Sequence, residues 1–189
     1  RDLVVIHNAI DPLFEKQEKD LSAKPKNVLL IGTNPNKNIE RTIEALKDFD
    51  CVVTIIGKLS ESQINVLKEC RITYYNKSGL TDQQMVEEYG KSDLVSFISL
   101  FEGFGMIVIE ANKVGRPVIC SDIPVLKEVA GEAALFVNPH DVEDMKKGFD
   151  RLFNDAQLRK DLVEKGYANV ERFTVDNIRK EWIQLYNSI

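Results

Sequence analysis

Two short runs constrain this chain more than any other feature. "NVLLIG" (27–32) and "CVVTIIG" (51–57) are apolar at nearly every position. A strand with one wet face alternates apolar and polar residues, so continuous apolar runs of this length demand cover on both faces, as in a parallel sheet. Four further runs of strand length follow, "ITYY" (72–75), "DLVSFI" (93–98), "PVICS" (117–121) and "AALFV" (133–137), with helical patterns between them. Strands joined by crossover helices are βαβ units. The region from Lys26 to about Asp141 therefore reads as an α/β fold, a Rossmann-like doubly wound parallel sheet of about six strands, with ligands expected at the strands' carboxyl ends.

After Pro139 only helical patterns remain, over about 141–153, 155–171 and 175–187, with Thr174 or Asp176 as the cap of the last. At the other end, residues 1–25 hold one apolar run, a turn at Asp11-Pro12 and a charged, lysine-rich stretch. They read as an interdomain linker and entry segment, leaving 26–189 as the folded domain. The chain starts at Arg1 without a signal-peptide pattern, so it is expected to be a piece of a longer, cytoplasmic protein. No stretch approaches the ~18 apolar residues of a membrane span. A net charge of −5 argues against nucleic acid or anionic lipid as the main partner. Cys51, Cys70 and Cys120 are far apart and complete no metal-ligand spacing, which suits reduced thiols.

The stretch that could carry chemistry is "SLFEGFGMIVIEANKVGRPVICSD" (99–122), where Glu102 and Glu110 stand eight positions apart around a Gly-Phe-Gly turn. The helix that follows the turn is apolar almost all round, and a carboxylate there is costly unless something answers it. Two answers are open. Glu110 lies at a wet edge and pairs with Lys113 at i+3, or it accepts hydrogen bonds from ligand hydroxyls, for which a vicinal diol offers two donors. Gly103 and Gly105 clear side chains from a loop that opens a helix, a place where backbone amides bind phosphate. Glu102 would repel a bare phosphate but suits a ligand with hydroxyls beside its phosphates, as in a sugar nucleotide.

A second loop, "IGTNPNKNIERTIEAL" (31–46), places Lys37 at a helix mouth on the same sheet edge, where it is either a solvated lysine or the partner of a pyrophosphate. "DFD" (48–50) precedes a strand and would lie at the wrong edge for a metal-bound sugar nucleotide. His7 and His140 lack a Ser, Cys or acidic neighbour at telling spacing.

These residues resemble the E-x7-E signature of family 4 retaining glycosyltransferases, enzymes of the two-Rossmann-domain GT-B fold. Ser99, "EGFG" (102–105), Glu110-Ala111, Gly115, "PVI" (117–119) and "SD" (121–122) carry the resemblance. "IHNAID" (6–11), "IGTNPNKN" (31–38), "EVAGEAALFVNPHD" (128–141) and "RFTVDNIRKEWIQLY" (172–186) extend it to the carboxyl-terminal half of such an enzyme. The resemblance implies a domain that binds a nucleotide-diphosphate sugar for retaining transfer to an acceptor hydroxyl, with no cofactor and no metal. Its partner is an amino-terminal Rossmann domain of the same polypeptide, which would make any contact with the inner membrane face. Glu110 would hold the ribose hydroxyls, Glu102 the donor sugar, and the amides of Phe104 to Met106 the sugar and diphosphate. Lys37 would neutralise the leaving diphosphate beside Gly32 and Thr33, and Gly79 and Leu80 would flank the base.

Two positions depart from the pattern. Thr33 and Asn34 stand where the family usually carries an Arg, leaving Arg41 as the next cation, and Ile107 replaces a Pro. Rival readings are a GT-B epimerase or phosphorylase half, a non-catalytic interaction domain, and a dinucleotide-binding module. Against the last, the third glycine of G-x-G-x-x-G is Val108 here.

Overall fold

A computed structural model describes residues 3–188. Six strands, β1 (Asn27–Ile31), β2 (Val52–Ile56), β3 (Thr73–Lys77), β4 (Leu94–Phe97), β5 (Val118–Ser121) and β6 (Leu135–Val137), form one sheet. Their order is β3-β2-β1-β4-β5-β6 and every pairing is parallel. The helices are α1 (Ile39–Leu46), α2 (Glu61–Glu69), α3 (Asp82–Lys91), α4 (Met106–Val114), α5 (Pro124–Ala130), α6 (Val142–Asn154), α7 (Ala156–Val170) and α8 (Val175–Asn187).

Two buried layers explain the oily runs. In β1, Leu29 joins residues of α3, α4 and α5 in one layer, while Val28 and Leu30 join α1 and α6 in the other. β5 alternates in the same way, with Val118 and Cys120 on one side and Ile119 on the other. Each such side chain contributes about 1.5–3 kcal/mol by leaving water. β3 is one of the two edge strands, so it needs cover less and runs two polar residues beyond "ITYY", through Asn76 and Lys77. Local signals start the helices. Ser60 with Gln63 and Thr81 with Gln84 form capping boxes on α2 and α3, and Thr174, not Asp176, caps α8.

Residues 3–25 form no helix or strand, yet they lie on the domain. Ile10 and Phe14 are buried, and the Ile10 amide donates to the Phe173 carbonyl at 2.7 Å. Two buried arginines hold the segment's carbonyls. Arg116 donates to Gln17 O at 3.0 Å, and Arg159 donates to Leu21 O at 3.0 Å and to Ala23 O at 2.9 Å. Among the described residues no helix is long and apolar enough to cross a membrane.

Candidate active site

The strand order reverses between β1 and β4, whose neighbours β2 and β5 lie on opposite sides, and the two loops that leave their carboxyl ends meet there. Crevices at such a switch point are where open α/β sheets take ligands. After β1 the chain passes Gly32 at φ +88°, makes a 3-10 turn over Pro35–Lys37 and enters α1 through Asn38, held in the left-handed region at φ 56°. Lys37 folds back across Gly32, where an added Cβ would stand 2.8 Å from Lys37 Cε. Its ammonium lies 4.6 Å from the centre of the Phe97 ring and donates to Glu102 Oε1 at 2.7 Å. Both side chains are largely withdrawn from water, at 17% and 13% exposure. The loops are laced together besides, since Leu100 N donates to Asn36 O at 2.7 Å and Asn36 Nδ2 to Phe101 O at 3.2 Å.

The glycine turn opens α4. Gly105 is its N-cap at φ 122°, a conformation that L side chains rarely adopt, and a Cβ there would meet Leu126 Cδ2 at 2.7 Å. Gly103 faces open space. Among the described residues the amides of Phe104, Gly105 and Met106 donate to no carbonyl or side chain. They are free donors at a helix start, the arrangement that suits a phosphate.

One turn further along α4, Glu110 is half-buried and accepts a hydrogen bond from the Tyr89 hydroxyl at 2.6 Å. Burial raises the Glu110 pKa, the Tyr89 bond pulls it back, and the charges of Asp11 and Asp82 raise it further, for a net upward shift. No ion pair joins Glu110 to Lys113 among the described residues, so the wet-edge alternative does not describe this carboxylate. It lines a cleft of about 540 Å³ with Asp11, Phe14, Asp82, Met85 and Met106.

The other expected residues lie nearby. Gly79, at φ +66°, is exposed in the β3–α3 loop, and Leu80 packs against the layer that includes Phe104 and Met106. Thr33 is engaged elsewhere: its hydroxyl donates to Lys58 O at 2.8 Å and its carbonyl accepts from Gln63 Nε2 at 2.9 Å. Arg41 donates to Asn38 Oδ1 at 2.9 Å. His7, set aside in the sequence, lies tilted against Phe104 with ring centres 5.6 Å apart and bonds Glu128 at 3.0 Å. Tyr89 and Asn36 were not anticipated. A tyrosine on the buried side of α3 needs a partner for its hydroxyl, and that need was the available signal.

Asp48 and Asp50 pair with Lys146 and Lys26 ahead of β2, at the opposite sheet edge. No cluster of three or more His, Cys, Asp or Glu is placed to hold a metal among the described residues. All three cysteines are free, and burial pushes the Cys51 thiol up to about 11. A further cleft of about 610 Å³, lined by Lys16, Lys19, Lys160 and Tyr167, lies between the amino-terminal segment and α7, away from the strand ends.

Known proteins resemble this chain in sequence and in fold. The sequence profile of glycosyl transferases group 1 matches residues 13–169. The O-antigen chain mannosyltransferase RfbU of Salmonella typhimurium is 27% identical over 186 residues, covering 93% of this chain and 50% of that protein. The chain thus spans about half the length of the curated relatives that it matches end to end. Among solved structures, sucrose-phosphate synthase from Thermosynechococcus elongatus superposes with a TM-score of 0.82 at 21% identity, over 97% of this chain and 51% of that one. HepE from Anabaena, solved with UDP and glucose, superposes at 0.78 and 19% identity, over 98% and 57%. Both structures share the fold, and the profile extends over most of the sequence, both loops of the switch point included: the chain belongs to the glycosyl transferases group 1 family.

Proposed function

We propose that this chain is the donor-binding half of a retaining glycosyltransferase of family 4 type, which moves a sugar from a nucleoside diphosphate to an acceptor hydroxyl without a metal. The observation that carries the reading is the meeting of Lys37 and Glu102 at the switch point, beside three unengaged amides and one helical turn from Glu110. A sugar nucleotide needs those groups together. The amides of Phe104 to Met106 and the Lys37 ammonium answer the diphosphate, Glu102 accepts from sugar hydroxyls, and Glu110 accepts from the ribose diol. Gly79 and Leu80 border the base, and Gly32 gives Lys37 room to swing.

In the reaction the bond from the anomeric carbon to the diphosphate breaks, its electron pair leaving on phosphate oxygen. The acceptor oxygen takes the sugar, and its proton departs with the diphosphate. Lys37 gains most as that charge grows, so its stabilisation belongs to the transition state. The acceptor is bound by an amino-terminal Rossmann domain of the longer polypeptide, in the cytoplasm. HepE is solved with UDP, so UDP is the nucleotide to try first, with GDP as the comparison.

Amide NMR during titration with each nucleotide tests the site. The resonances of Phe104, Gly105, Met106 and Lys37 are expected to move together. Saturable binding that leaves all four unmoved would place the nucleotide elsewhere and end this reading.

A further inference from the structure

Glu110 does not stand alone in its cleft. The Tyr89 hydroxyl reaches its Oε2 at 2.6 Å from α3, across the α3–α4 contact. Tyr89 is fully buried, and the Phe14 ring packs edge-on against it at 5.6 Å, so the hydroxyl has no water to turn to. The backbone behind it is also pinned. Arg116, 1% exposed, donates from Nε to Tyr89 O at 3.0 Å and from Nη2 to Gly90 O at 2.9 Å. Its Nη1 meets Gly115 O at 3.0 Å and Val114 O at 3.2 Å. One guanidinium therefore closes the carboxyl ends of α3 and α4 together, the end of a helix that favours a cation. Two helices locked at their ends hold the angle at which Tyr89 meets Glu110.

Resting on the donor-binding reading above, we infer that Tyr89 is a positioning residue that aims the Glu110 carboxylate at the ribose diol. The hydroxyl has one proton to give, and giving it to Oε2 fixes the plane of the carboxylate. Oε1 and the second lone pair of Oε2 stay available to the two ligand hydroxyls. A protonated Glu110 would spend one oxygen as a donor and could not accept both. The charged groups that face Glu110 are Asp11 from the amino-terminal segment and Asp82 from the first turn of α3, and both favour protonation, as burial does. Tyr89 is the group that opposes them.

Tyr89→Phe removes the hydroxyl alone, since the ring still packs on Phe14 and the backbone carbonyl still meets Arg116. Two readouts decide the inference. The first needs no ligand: the carboxyl ¹³C resonance of Glu110 is followed against pH in the parent and in Tyr89→Phe. The midpoint is expected to move to higher pH in the variant, because the bond that favours the ionised form is gone. The second is GDP and UDP affinity against pH for the parent, Tyr89→Phe and Glu110→Gln, the last supplying the baseline set by the nucleotide's own titration. Binding by the parent falls as pH drops through the Glu110 midpoint. Tyr89→Phe is expected to lose affinity at higher pH than the parent and to be weaker by about tenfold where the parent is still ionised, the scale of one charge-assisted contact.

Coincident carboxyl titrations would overturn the inference, and so would a Tyr89→Phe affinity profile lying on that of the parent while Glu110→Gln is weak. Full affinity in Glu110→Gln would instead overturn the ribose contact itself, and the positioning role with it. An equal melting temperature in parent and Tyr89→Phe confirms that the comparison is between folded proteins.

Discussion

Lys37 and Glu102 come from loops 65 residues apart and meet at 2.7 Å, each largely shielded from water. The pair holds the cation of one loop against the carboxylate of the other. On the proposed donor-binding reading, a diphosphate that takes Lys37 displaces Glu102, and a donor sugar offers Glu102 hydroxyls in exchange, whereas the nucleoside diphosphate left after transfer offers none. The pair would then favour donor over product.

Glu102→Gln should accordingly tighten the binding of GDP or UDP, by about tenfold for the loss of a close like charge in a partly buried site. In the full-length enzyme the same change should slow transfer. Calorimetry on the chain and steady-state kinetics on the longer protein check both parts. Weaker nucleotide binding in Glu102→Gln would contradict the exchange.

Lys37→Ala should act chiefly on rate. Loss of one such electrostatic group costs on the order of 10² to 10³ in kcat. The usual upstream cation is absent here, Thr33 being tied to the β2–α2 loop and Arg41 to Asn38, which places the effect toward the upper end. A raised donor KM with kcat unchanged would show that Lys37 only anchors the ground state.

Gly105→Ala should destabilise the fold by about 1–3 kcal/mol from backbone strain alone, with the approach to Leu126 adding to it. Urea unfolding reads the change as a lower midpoint. Gly103→Ala, in open space, is the control and should leave stability nearly unchanged.

Arg116→Met should cost roughly 2–4 kcal/mol, because five carbonyls lose a buried donor at once. The loss should also loosen the amino-terminal segment at Gln17, which hydrogen exchange of the Gln17 amide, bonded to Val114 O at 3.1 Å, would report.

How far these features were legible in the sequence follows from what each depends on. The sheet was legible because a strand covered on both faces must be apolar at successive positions, as Val28, Leu29 and Leu30 are. The end of β3 was not, since an edge strand tolerates Asn76 and Lys77. Glu102, Glu110 and Lys37 stood out by spacing and by the glycines beside them. The contacts that each makes did not, because the Tyr89–Glu110 bond depends on how α3 packs on α4 and the Lys37–Glu102 pair on which strands are neighbours. The packing of residues 3–25 was the least legible part. It has no periodicity to read and is held by arginine bonds to backbone carbonyls, which leave no trace in side-chain pattern.

Metal-independent nucleotide binding at Glu110 is tested by calorimetric titration of GDP and UDP into this chain in the presence of a chelator, for the parent and Glu110→Gln. The parent is expected to bind a nucleoside diphosphate saturably without metal, and the variant to lose about 1.5–3 kcal/mol, tenfold or more in affinity. Binding that appears only when Mg²⁺ or Mn²⁺ is added, or equal affinity in parent and variant, would contradict that expectation.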